Sequence, residues 1–188
     1  MPWTMFVEGS SDEAFLSCVL SHLDITNVET ERINGGVGKL GSVARQMQRR
    51  SLRGNRISVI LDADADFEKR RGEYETERVR HELPIDRFFL LPNHRDTGCL
   101  ETLLEQIAVS GHRVVFDCFD AYERCLRRHS DAYRVPNLKA RIYAYCEALD
   151  IETSAPSRDY GNTSYWDLDA VALEPLRAFL TGLHATGA

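Results

Sequence analysis

The sequence has no apolar stretch approaching the ~20 residues that a membrane-spanning helix needs. It opens on no charged-then-apolar leader either, so a cytoplasmic protein without membrane contact is expected. Its five cysteines (Cys18, Cys99, Cys118, Cys125, Cys146) are odd in number and include no C-x-x-C pair. That argues against a structural zinc site and against a disulfide framework, leaving buried thiols as the default. Cys118 and Cys125, seven apart, fall on one helix face and are expected in the core. Internal repeats, low-complexity tracts and recognisable linkers are also missing, which favours a single domain. Net positive charge is missing too: at −6 the chain is no indiscriminate nucleic-acid binder.

What is present is an ordinary globular composition, 43% apolar and 28% charged, with enough length for one well-cored domain. Apolar runs alternate with helical periodicity. A first strand ends at Met5, Phe6 and Val7, and Ser10 or Ser11 can cap the helix behind it, with Phe15, Leu16, Val19, Leu20 and Leu23 at helical spacing. A second strand fits 28–33, a third 57–61 and a fourth 88–91, separated by helices at about 40–52 and 68–83. Strands alternating with helices of this length predict βαβ crossovers and an α/β fold, a four-stranded parallel sheet covered on both faces. Beyond residue 100 the strand signal fades into helices at 100–109, 116–128, 138–149 and 171–183, with a polar loop at 154–165. The expected organisation is an α/β core over 1–110 and a helical C-terminal portion over 111–188 packed on the same domain.

Asp62, Asp64 and Asp66 directly follow the apolar run 57–61. Three carboxylates so close repel one another, and burying them is costlier still. A hard cation such as Mg2+ among the oxygens explains them; an Asp-rich turn capping the next helix is the alternative. In an open parallel sheet ligands collect at the carboxyl ends of the strands. Three strand ends here carry acids: Glu8 after the first, the aspartates after the third, and Glu101 shortly after the fourth. Gly9 behind Glu8 lets the backbone approach a phosphate or metal. Between residues 41 and 61 stand Arg45, Arg49, Arg50, Arg53 and Arg56 with no acid among them. Such a run reads either as the solvated face of a helix or as a local surface tracking a phosphate backbone.

The series Phe6-Val7-Glu8-Gly9-Ser10-Ser11-Asp12-Glu13, then Gly35-Gly36, then Leu61-Asp62-Ala63-Asp64 resembles a Toprim domain, the Rossmann-like fold shared by topoisomerases, bacterial primases and the overcoming-lysogenization-defect (OLD) nucleases. The run Thr97-Gly98-Cys99-Leu100-Glu101-Thr102 and the tail Asp167-Leu168-Asp169 are similar to a small stand-alone Toprim-like family. The resemblance implies Mg2+, or Mn2+, held by Asp62 and Asp64. Glu8 completes the site or acts as general acid/base, and Asp12 assists a second metal. Asp66 and Glu101 are further candidate ligands. It implies phosphodiester chemistry on DNA or RNA, with Glu8, Asp62 and Asp64 catalytic and Arg45, Arg49, Arg50 and Arg53 binding the nucleic acid. A non-catalytic module working beside an ATPase is the rival reading. The chain has no room for the nucleophilic-tyrosine domain of topoisomerases or for the further modules of primases.

Other features are weaker. The loop Gly35-Gly36-Val37-Gly38-Lys39-Leu40 fails the phosphate-loop pattern, because Leu40 stands where a hydroxyl is needed. Lys139 could supply positive charge to a transition state or simply face solvent. His94 is a loop histidine near the acids, and Trp166 beside Tyr165 either stacks on a base or anchors the C-terminal segment. A response-regulator-like receiver could use Asp62, but no lysine follows Leu91 at short range.

Overall fold

The computed structural model describes residues 1–129 and 131–185; the last residues of the expected C-terminal portion, 186–188, lie outside them. In chain order the elements are β1 (Trp3–Val7), α1 (Ser10–His22), β2 (Val28–Arg32), α2 (Ala44–Leu52), β3 (Arg56–Asp62), α3 (Phe67–Arg80), β4 (Arg87–Leu91), α4 (Leu100–Ile107), α5 (Arg113–Arg127), α6 (Leu138–Ala148) and α7 (Glu174–Ala185). The strands form one parallel sheet in the order β2-β1-β3-β4, with Val7 opposite both Arg32 and Ile60, and Asp62 opposite Leu91.

Alternation along each strand builds two cores, one per face. Trp3, Met5, Val7, Ile60, Phe89 and Leu91 face one side, where α1 and α4–α7 cover them. Phe6, Ile57, Val59, Leu61 and Leu90 face the other, against Met47 of α2 and Tyr74 of α3. The central strands are buried on both faces, which is why β1 and the interior of β3 read as apolar runs interrupted only by the buried hydroxyls of Thr4 and Ser58. Edge strand β2 is VETER, its charges disfavouring further strand addition. The C-terminal helices share the core of the first face: Leu176, Leu180 and Leu183, at helical spacing on α7, are fully buried. Each contributes ~1.5–3 kcal/mol by leaving water. Among the described residues no helix is long and apolar enough to cross a membrane.

Some local expectations are corrected. The N-cap of α1 is Gly9 rather than Ser10 or Ser11, because the Asp12 carboxylate accepts the Gly9 N–H at 3.0 Å. The arginine helix starts at Ala44 after a 3₁₀ segment, Val37–Val43, in place of the expected start at residue 40. Cys118 and Cys125 are exposed, since their face of α5 points away from the core; of the five cysteines only Cys146 is buried.

Candidate functional site

From β1 the chain crosses by α1 to β2 on one side, and from β3 it crosses by α3 to β4 on the other. The carboxyl ends of β1 and β3 are therefore neighbours whose connections diverge, which opens a crevice between them. Glu8 stands at the end of β1 and Asp62 closes β3. Glu8 Oε1 accepts the Asp62 N–H at 3.0 Å, and Asp62 Oδ1 accepts the Leu100 N–H in the first turn of α4 at 3.0 Å. The positive end of α4 is thus aimed at Asp62. Gly35 donates its N–H to the Glu8 carbonyl at 3.0 Å, and a Cβ on Gly36 would sit 3.5 Å from the Glu8 carboxylate.

Asp12, one helical turn past Glu8, and Glu101 in the first turn of α4 join them. Glu8, Asp12, Asp62 and Glu101 line one cleft of about 280 Å³, together with Gly9, Ser10, Ser11, Gly35 and Lys139. Lys139, at the start of α6, is the cleft's one cationic side chain and makes no ion pair among the described residues. Three of these carboxyls, Glu8, Asp12 and Asp62, carry the mark of burial first and of crowding second. Burial, then repulsion from Asp12, Glu8 and Glu101, pushes Asp62 well above the usual carboxylate range despite the Leu100 N–H. Burial raises Asp12 to about 6, with Glu101 adding to it and Lys139 opposing. Burial likewise raises Glu8, and Asp12 reinforces it, while the Asp62 N–H, Arg70 and Lys139 pull the other way.

Asp64 and Asp66 stand apart from this group. A continued strand would place Asp64 on the same side as Asp62, but β3 ends at Asp62 and Asp64 adopts φ 53°, in the left-handed region. Its backbone exchanges two hydrogen bonds with Gly98, at 2.7 and 2.8 Å, and its carboxylate pairs with Arg70. Gly98 has φ 139°, and a Cβ there would meet Thr102 Oγ1 at 2.8 Å, so this bridge requires glycine. Asp66 is the N-cap of α3, accepting the Lys69 N–H at 3.0 Å. Both line a separate surface hollow with Lys69, Arg70 and Glu73.

The arginine run is also elsewhere. The helix α2 leads from the end of β2 to the start of β3, so its last turn lies at the opposite end of the sheet from the acids. Arg49, Arg50 and Arg53 line a depression with Glu31 and Gln46. Arg50 is committed to Glu29 (3.1 Å) and to Glu31, whereas Arg45, Arg49 and Arg53 are exposed. His94 Nδ1 accepts the Leu90 N–H at 3.0 Å and its ring stacks on Phe89, so it latches the end of β4. Trp166 is fully buried against Tyr145 and anchors the C-terminal segment.

The site members that the sequence did not assign are the backbone donors of Gly9, Gly35 and Leu100. The glycine pair at 35–36 was the available signal for the donor loop. Lys139, offered by the sequence as a source of positive charge or as a solvent-facing residue, lines the cleft although it is distant in sequence from every acid there.

Among the described residues no group of three His, Cys, Asp or Glu side chains stands ready as a metal centre. The donor chemistry still fits a hard cation. All four cleft acids offer oxygen, and Glu8 and Asp62 each have one carboxylate oxygen held by a backbone N–H and the other outside those bonds. Mg2+ binds through one or two carboxylates while keeping several waters, so a compact cage is not required.

A family model described as "Protein of unknown function (DUF3226)" matches residues 2–185. Comparison with curated proteins returns no match. Among solved structures, the C-terminal region of the Burkholderia pseudomallei OLD protein is similar with a TM-score of 0.47 and 16% identity, over 95% of this chain and 96% of that one.

Proposed function

This chain belongs to the family described as protein of unknown function (DUF3226), and we propose that it is a metal-dependent, phosphodiester-acting protein of Toprim type, a nuclease or nuclease subunit acting on DNA or RNA. One observation carries the reading: four carboxylates from separate elements converge in a single cleft at the sheet's switch point, where burial raises the proton affinity of Glu8, Asp12 and Asp62 and repulsion between the cleft acids adds to it. A bound Mg2+ or Mn2+ would neutralise that charge, polarise a phosphoryl oxygen and lower the pKa of a water. Asp62, Glu8, Asp12 and Glu101 are the proposed ligands, with Asp64 and Asp66 outside the first set because Arg70 and the α3 backbone already occupy them.

The remaining roles belong to the chain's own groups. Glu8 has the alternative role of accepting the attacking water's proton in place of completing the metal site, its proton affinity being raised by burial. The Lys139 ammonium, across the cleft, balances charge building on a non-bridging phosphate oxygen. Lys69 and Arg70 on the acid side of the sheet would receive the flanking backbone, and Arg45, Arg49 and Arg53 would make outlying phosphate contacts.

Incubating the purified protein with labelled DNA and RNA plus Mg2+ or Mn2+ tests this. Metal-dependent cleavage that vanishes in the Glu8→Gln, Asp62→Asn double variant is the expected result. No cleavage, or cleavage that survives the double change, removes catalysis from this cleft. A second reading, a non-catalytic metal- or partner-binding module working beside an ATPase, is favoured by the lack of a preformed ligand set among the described residues. It predicts tight association with the partner and no cleavage by the isolated chain.

A further inference from the structure

We propose that this chain self-associates as a two-fold dimer in which α5 of one copy packs antiparallel against α5 of the second. Within its fifteen residues α5 buries only Phe116. Its inner face is occupied: Phe116 stacks on Tyr145 at 4.9 Å, and Asp120 is gripped by Arg141, which also holds Glu105 at 2.7 Å. The outer face carries Val114 and Tyr122, 61% and 50% exposed, with Cys118 and Cys125, both exposed. Spacings of four, four and three place these side chains in one stripe along three turns of helix. Single exposed apolar residues are ordinary, but a continuous line along one helix marks a contact surface.

Charge selects the occupant. Asp117 and Arg124, seven residues apart, flank the stripe on the same side, and neither forms an ion pair among the described residues. In an antiparallel pair the same flank of each helix faces its counterpart. A two-fold axis near Asp120 then sets Asp117 of each copy against Arg124 of the other, twice. The same register sets Val114 against Cys125 and Cys118 against Tyr122, also twice. Parallel pairing would instead set this flank against the opposite one, which carries Val115, Phe119 and Leu126, and would leave both charges unmatched. Arg113, which the antiparallel register brings towards Arg128, is already turned to Glu105 and over the Phe116 ring. One helix per partner is a small contact, so the dimer is weak and depends on concentration.

Sedimentation equilibrium of the full chain over a wide concentration range tests the proposal, with circular dichroism to confirm folding. The stripe side chains are exposed, so their replacement leaves the core intact. The wild-type chain is expected to pass from monomer to dimer, and Tyr122→Glu to remain monomeric. Asp117→Arg and Arg124→Asp should each weaken association by about tenfold, through two repulsive contacts per dimer, and the double charge swap should restore it. A monomer at every concentration overturns the proposal. So does a dimer indifferent to Tyr122→Glu, or one that the double swap fails to restore.

Discussion

The acids at 62 and 64 are separated by one alanine, yet they occupy opposite electrostatic situations. Asp62 is half-buried among Glu8, Asp12 and Glu101 and holds its proton well above the usual range. Asp64 is exposed and paired with Arg70, and Asp66 caps a helix. The outer two are satisfied by the protein itself, whereas the inner four lack a counter-charge of matching size, with only Lys139 in their cleft. Carboxylates that a fold crowds together without neutralising them are the ones available to a ligand.

Direct substitution is the strongest way to break that contrast. Asp62→Asn should lower metal-dependent cleavage by more than about 100-fold, a scale that outer-shell partners of a metal already reach. Asp64→Asn should leave the rate within about twofold, as expected for an exposed ion pair. Equal losses in single-turnover assays would erase the distinction.

Proton linkage comes next. Asp12 titrates at about 6 in the folded chain against an ordinary 3.8. Between those values the folded state binds more protons than the unfolded one, so stability falls as pH rises through that window. The fall attributable to Asp12 is on the order of 3 kcal/mol once complete. Asp12→Asn keeps an acceptor for the Gly9 N–H and removes this loss. Thermal melts without metal should find the variant more stable near about pH 8 and no more stable near about pH 4. A gain that is constant with pH would assign the effect to packing instead.

Metal should act on the same charge from outside. Mg2+ at a hundred times its dissociation constant would stabilise the folded chain by ~2.7 kcal/mol. The melting shift should be retained in Asp64→Asn and lost in Asp62→Asn. The smallest effect belongs to the helix cap: Asp66→Ala should lower stability by ~1 kcal/mol in urea unfolding without altering the Mg2+ shift.

Much of this was legible in the chain. The order of strands and helices followed from apolar runs alternating with helical spacing, and the acids at strand ends pointed to the carboxyl edge of the sheet, where four carboxylates line one cleft. What could not be read is instructive. The alternation of Asp62, Asp64 and Asp66 suggests one cluster, but the left-handed backbone at Asp64 divides it, a conformation fixed by pairing with Gly98 more than thirty residues away. The arginine run looked adjacent to the acids in sequence, yet α2 carries its last turn to the far end of the sheet. Cys118 and Cys125 share a helix face, as their spacing requires, but periodicity alone does not say which face the core will cover.

The sequence by itself determined the α/β alternation, the parallel sheet and the presence of acids at its carboxyl edge, because local propensity and hydrophobic period fix those. Only the tertiary structure decided which acids meet. Glu8, Asp12, Asp62, Glu101 and Lys139 come from parts of the chain more than a hundred residues apart. Strand order, a positive φ and two backbone hydrogen bonds bring them to one cleft and send Asp64 and Asp66 elsewhere.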